Sequence, residues 1–240
     1  MRTHIKTAVI QFPGSNCDLD TVYVLKNVLK IDVDLVWHKE DMNISNYDAF
    51  FLPGGFSYGD ALRAGIIAAY SPIMQRIKEA AKEGKPIIGI CNGFQILVES
   101  QLLPGALIQN SNLMFICDWV YIKTLTNRTS FNNMMKTGQI IHIPIAHGEG
   151  RYYIDEKSLK ELYENNQVVF KYCSDLGDIS NEYNPNGSLD NIAGICNLDG
   201  NILGLMPHPE RVSENVLDPI GRNDGLLFFQ SMINYIEKNK

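Results

Sequence analysis

The stretch Pro86-Ile-Ile-Gly-Ile-Cys91-Asn92-Gly93-Phe94-Gln95 runs an apolar strand into a cysteine flanked by glycines, and then opens a helix expected from Asn92 to about Ser100. That is the layout of a nucleophile elbow. A strand that turns sharply into a helix leaves almost no room around the residue at the tip, which often carries strained backbone angles, so Gly89 and Gly93 are needed on either side. Cys91 would then stand at a helix N-terminus, where unpaired N–H groups and the macrodipole favour a thiolate and, later, an oxyanion. Free cysteine is also among the most buried residue types, so a core role is the alternative. The Gly-x-Cys-x-Gly spacing after an apolar strand favours the nucleophile, which then requires a partner base.

The surrounding chain suits this elbow. Short β-rich runs at Lys6–Gln11, Asp32–Trp37, Ala49–Leu52 and Pro86–Ile90 alternate with helical patterns around Leu19–Lys30, Ala61–Ala69 and Ile73–Glu83. This is the rhythm of βαβ units, whose parallel strands are buried on both faces and read as continuous apolar runs. An α/β, doubly wound, mostly parallel sheet is expected. In such sheets ligands bind beyond the carboxyl ends of the strands, where Phe12-Pro-Gly-Ser, Pro53-Gly-Gly-Phe and Cys91-Asn-Gly all fall.

The second half reads differently. Strands are expected at Phe115–Lys123, Gln139–Ala146, Val168–Tyr172, Ile192–Asn197 and Ile202–Met206, with helices near Glu156–Asn165 and Gly225–Lys238. Asp199-Gly200 is a two-residue hairpin signal, and Ser174–Asn191 has the composition of a long loop. Antiparallel additions to the parallel sheet follow, with residues 1–240 as a single domain.

Composition narrows the chemistry. The 240 residues carry 21 basic against 27 acidic side chains, a formal charge of −6, and no Lys/Arg cluster of the kind that tracks nucleic acid. No apolar run approaches the roughly 18 residues of a membrane span. The N-terminus leads directly into a strand without a long apolar segment, so a cytoplasmic location is expected. Five widely spaced cysteines with no Cys-x-x-Cys pair support neither a disulfide framework nor a zinc site. No metal is expected.

Five histidines could serve Cys91. His4 is terminal, His38 follows a strand among charges, and His142 lies inside an apolar run. His208 stands out in Pro207-His208-Pro209-Glu210-Arg211, at the end of an apolar strand. The flanking prolines bias it toward extended backbone, in which residues i and i+2 share a side. Glu210 could therefore bind one ring nitrogen and leave the other for Cys91, which is the arrangement of nucleophile, base and orienter. His147, in His147-Gly148-Glu149-Gly150, is the rival base, although its glycines suit a substrate loop better. For an oxyanion hole the candidates are the Asn92 amide and an amide from Gly54-Gly55.

The elbow through Gln95, Pro53-Gly-Gly and His208-Pro-Glu210 together resemble the class I (triad) glutamine amidotransferases, which have a flavodoxin-like fold. Further blocks, Phe12-Pro-Gly-Ser-Asn-Cys-Asp18, Phe56-Ser-Tyr-Gly-Asp60, Leu102-Leu-Pro-Gly-Ala-Leu107, His147-Gly-Glu-Gly-Arg-Tyr152, Asn184-Pro-Asn-Gly-Ser188 and Met206-Pro-His-Pro-Glu-Arg211, resemble the glutaminase subunits of phosphoribosylformylglycinamidine synthases. The resemblance implies glutamine hydrolysis through Cys91, His208 and Glu210. It also implies delivery of ammonia to a large synthetase subunit, with a small bridging subunit, for the ATP-dependent conversion of formylglycinamide ribonucleotide to formylglycinamidine ribonucleotide in purine biosynthesis. Gln95, His147 and Gly148 are implied at the glutamine pocket. No cofactor is expected in this chain, because ATP and Mg would sit on the synthetase. A free-standing cysteine hydrolase on the same scaffold would keep the triad without needing the other blocks, and a non-catalytic relative would be expected to have lost the base or its orienter.

Overall fold

The computed structural model describes residues 4–239. In chain order these residues form β1 (Lys6–Gln11), α1 (Asp18–Tyr23), β2 (Asp32–Trp37), β3 (Ala49–Leu52), α2 (Ile66–Ala69), α3 (Ile73–Lys82), β4 (Ile87–Ile90), α4 (Asn92–Glu99), β5 (Ala106–Ile108), β6 (Ile116–Thr124), β7 (Ile140–His147), β8 (Arg151–Tyr153), α5 (Glu156–Glu164), β9 (Val168–Cys173), β10 (Ile192–Cys196), β11 (Ile202–Leu205) and α6 (Leu226–Asn239). The main sheet runs β2-β1-β3-β4-β11-β10-β9-β6-β7, and β5 pairs with β8 separately.

From β2 to β11 every pairing is parallel, with Gly204 beside Gly89 and Leu205 beside Ile90. Every residue of β3, β4 and β11 is buried, as expected of strands covered by helices on both faces. α3 buries Ile73, Met74, Ile77 and Ala80 along one stripe. α4 is buried from Asn92 to Val98, so the helix that follows Cys91 is held on all sides. The remaining strands, β10, β9, β6 and β7, join antiparallel. This half curls so that the free edge of β7 returns to the carboxyl end of β4. The Cys91 thiol faces the carbonyl of Ala146 at 3.7 Å, and the His208 amide donates to the carbonyl of Pro144 at 2.9 Å.

Three details depart from the expectations above. The helix anticipated over Ala61–Ala69 is confined to Ile66–Ala69, because Asp60, Leu62 and Gly65 all adopt positive φ. The Asp199-Gly200 hairpin forms, but with a longer loop: β10 ends at Cys196 and β11 begins at Ile202. The short pair β5–β8 was not anticipated.

Candidate active site

Cys91 adopts φ 51° and ψ −107°. This conformation costs an L-residue about 1–3 kcal/mol and persists only where the surroundings enforce it. Here they do: a Cβ at Gly93 would lie 1.9 Å from the carbonyl oxygen of Leu52, so only glycine lets α4 start this close to β3. The Cys91 amide is held by the carbonyl of Leu205 at 2.8 Å. The Phe94 and Gln95 amides turn back to the Cys91 carbonyl, which leaves those of Asn92 and Gly93 outside the helical ladder.

The opposite wall comes from the loop after β3. Ser15 and Gly55 form an isolated antiparallel bridge, with Phe56 N–H donating to Gly14 and Asn16 N–H donating to Gly54. Cys17 N–H also donates to the Gly54 carbonyl, at 3.2 Å. The peptide unit is planar and trans, so pinning the Gly54 carbonyl aims the Gly55 N–H in the opposite direction. Gly55 sits at φ +146°, where a Cβ would meet the Gly14 oxygen at 2.6 Å. Gly54 and Gly55, the candidates for an oxyanion hole, are thus fixed by the Phe12–Asp18 segment. Gly54 itself lies against His208, since a Cβ there would be 2.7 Å from its Cε1.

His208 and Glu210 meet as the Pro-His-Pro-Glu spacing predicts. The Nδ1 of His208 lies 2.6 Å from Oε1 of Glu210, and both side chains are buried. Burial opposes a charged imidazole, but the Glu210 carboxylate and the Cys91 and Cys17 sulfurs together outweigh it, and His208 is held well above its usual pKa. With Nδ1 taken by Glu210, the buried Nε2 is the atom left for chemistry.

Cys17 and Arg211 meet beside His208, a contact that no spacing in the sequence signals. The sulfur of Cys17 accepts from the guanidinium of Arg211 at 3.0 Å, and one ligand atom each from Cys17, His208 and Glu210 falls within 4.8 Å of the others. Burial pushes the Cys17 thiol up, and the His208 and Arg211 charges only partly offset it.

His147 is placed differently. Its ring is buried, with Nδ1 3.1 Å from Oδ1 of Asn110 and Nε2 3.5 Å from the amide nitrogen of Asn186. Asn110 uses its own amide nitrogen to donate to the carbonyls of Met114 and His147, so its oxygen is the acceptor and His147 carries its proton on Nδ1. Burial, reinforced by the charge on His208, lowers His147 to about 4. It is a neutral strut near the base. The Gly148 carbonyl receives the Asn110 amide, which joins that residue to the same strut.

Asn92 and Gln95 form a third group. Asn92 accepts from the Ser57 amide at 3.2 Å and donates to Gln95 Oε1 at 2.8 Å, and Gln95 donates to the Glu149 carbonyl at 2.7 Å. This chain of bonds ties the loop after β3 to the loop after β7 across the start of α4. Beside it a cleft of about 440 Å³ is lined by Arg63, Asn110, Glu149 and Arg151.

The chain is similar over residues 4–236 to the family of CobB/CobQ-like glutamine amidotransferase domains. It is 52% identical over 235 residues to a phosphoribosylformylglycinamidine synthase subunit PurQ of Methanosarcina acetivorans, covering 98% of this chain and all of that one. The Aquifex aeolicus PurQ subunit is 50% identical over 230 residues, covering 96% of this chain and all of that one. A chain in the structure of PurLQS from Thermotoga maritima superposes with a TM-score of 0.84 at 43% identity, covering 98% of this chain and all of that one. With the elbow, the fixed glycine pair and the His–Glu couple on one fold, and with this agreement along its length, the chain belongs to the PurQ family of glutamine amidotransferases.

Proposed function

We propose that this chain, acting as one glutamine amidotransferase domain, hydrolyses glutamine to glutamate and ammonia and passes the ammonia to the synthetase of phosphoribosylformylglycinamidine synthase. The observation that carries the reading is Cys91 at a strained strand-to-helix turn facing a buried His208–Glu210 couple. The name PurLQS of the Thermotoga assembly supports a large synthetase and a small third subunit as partners. ATP and Mg are assigned to the synthetase and the location to the cytoplasm. No helix among the described residues is long and apolar enough to cross a membrane.

In the reaction, the Cys91 sulfur attacks the side-chain carboxamide as a thiolate, its proton passing to His208. The amides of Gly55 and Asn92 stabilise the tetrahedral oxyanion; each such donor contributes about 3 kcal/mol. His208 protonates the departing ammonia, and the glutamyl thioester is then cleaved by water that His208 deprotonates. Glu210 holds the imidazole through Nδ1 in both halves. The glutamine body extends over Asn92 and Gln95 toward the loop of His147 and Gly148, whose place is to shape that wall.

The test is the complete complex with formylglycinamide ribonucleotide and ATP, supplied with glutamine or ammonium. Cys91→Ala should abolish glutamine use and leave ammonium use intact. Equal loss with both donors would overturn the division of labour.

A further inference from the structure

Between the glycine pair and α2 the chain runs through an unusual loop. Tyr58, Gly59, Asp60 and Leu62 all have positive φ, and a Cβ at Gly65 would lie 2.8 Å from the backbone of Gln95, so the loop presses on the start of α4. Two of its polar atoms are buried without a hydrogen-bond partner among the described residues, Oγ of Ser57 and Oδ1 of Asp60. Ser57 is 3% exposed, and its amide is already bonded to Asn92. Strained backbone that holds two unsatisfied oxygens beside a reactive centre is costly unless something uses them.

The second carboxylate comes from the far wall. Glu149 receives the Gln95 side chain on its carbonyl, and its charge acts on Asp60. Burial first, then this like charge, raises Asp60 to about 6. Neither Asp60 nor Glu149 forms an ion pair with a described residue: the nearby Arg63 bonds Glu99, and Arg151 donates to the Gly187 carbonyl. Two carboxylates on loops that both bond to the Asn92–Gln95 pair, one with a buried oxygen that no described residue satisfies, form a receptor for a positively charged group.

We infer that Asp60 and Glu149 seat the α-ammonium group of the bound glutamine, with the Ser57 hydroxyl as a third acceptor. This rests on the glutaminase reading above and deepens it. Anchoring the charged end beside Asn92 and Gln95 orients the carboxamide toward the sulfur, and it gives the site a means of rejecting amides that lack an α-amino group. Arg63 and Arg151, in the adjoining cleft, supply positive charge on the side where the α-carboxylate would lie.

The experiment uses the assembled complex with two amides, glutamine and glutaramate, the second being glutamine without its α-ammonium. The wild-type complex should turn over glutamine with a much higher kcat/KM. Asp60→Asn keeps the size of the side chain and tolerates the same φ; it should raise the KM for glutamine about ten- to a hundredfold with kcat little changed, and leave glutaramate turnover unaltered. Glu149→Gln should show the same selective pattern and stands in if Asp60→Asn fails to fold. Equal losses for both amides, or unchanged preference in both variants, would overturn the inference while leaving the glutaminase reading intact. Failure of the wild-type complex to hydrolyse glutamine would overturn that reading itself.

Discussion

The Arg211 guanidinium donates to the Cys17 sulfur at 3.0 Å across 194 positions of sequence, closing the back of the site behind His208. Arg211 also approaches Asp20 at 3.7 Å, so its charge is shared between the start of α1 and the turn that carries Glu210. A second thiol thus lies beside His208: burial raises the Cys17 thiol, whereas Cys91 holds the strained elbow.

Cys17→Ala should therefore cost stability more than chemistry. Removing the sulfur strands a half-buried guanidinium donor, a loss of about 1–3 kcal/mol. Thermal unfolding should show it, while an electrophilic glutamine analogue should still alkylate Cys91 in the complex, as peptide mapping would reveal. If the label moved with position 17, the nucleophile would be misassigned.

Glu210→Gln should lower glutamine kcat/KM by about 10²–10⁴-fold and spare ammonium-dependent synthesis. Glu210 makes the largest contribution against the burial that disfavours charge on His208, so its neutral replacement should drop the imidazole below its wild-type value. The raised value of His208 adds stability that is fully present below about pH 6.5 and is lost as pH rises through the folded pKa. Unfolding measured across alkaline pH should therefore show wild type losing stability that the variant never had. A parallel pair of curves would refute the coupling.

Much of this was legible in the chain itself. The runs Lys6–Gln11, Asp32–Trp37 and Ala49–Leu52 became strands with those same bounds: the first and third lie inside the parallel sheet and read as unbroken hydrophobic stretches, whereas Asp32–Trp37 is the edge strand and interleaves Asp with Val and Leu. His208 and Glu210 could be paired from local geometry, two residues apart in restricted backbone. Cys17 and Arg211 could not, since their contact depends on how distant segments meet and leaves no spacing to read. The loop Tyr58–Leu62 escaped for another reason: non-glycine residues at positive φ have no local signature, and Ala61–Ala69 looks helical until Gly65 is seen at φ 81°. The glycines after His147 read as a substrate loop in the sequence, and the structure gives Gly150 a packing reason as well: the imidazole lies 2.3 Å from where its Cβ would be.

His147 makes an acid-stability prediction. Its lowering from 6.5 to about 4 means that the folded protein resists protonation there, which corresponds to about 3 kcal/mol. That contribution is full above pH 6.5 and is lost as pH falls toward 4. His147→Gln should be destabilised at pH 7.5, because the bonds to Asn110 and Asn186 are disturbed, and the gap to wild type should narrow at low pH. A gap independent of pH would show that His147 is not held neutral.

The last prediction concerns the oxyanion hole. Glycines at 54 and 55 suggest a hole that a partner could flip open or shut, but the Gly54 carbonyl accepts two amides, those of Asn16 and Cys17, each at 3.2 Å. Turning that peptide would break both bonds, so the Gly55 N–H is already aimed in the free chain. Control by a synthetase would then act elsewhere, on the strained Tyr58–Leu62 loop or on access to the cleft. Gly55→Ala cannot hold φ +146° and collides with Gly14, and it should reduce glutamine kcat about 10²–10³-fold while sparing ammonium use. The isolated wild-type subunit should also be a poorer glutaminase than the complex through a raised KM, with kcat changed less. Steady-state kinetics of both forms decides the matter: a loss confined to kcat would return the gate to the Gly54–Gly55 peptide.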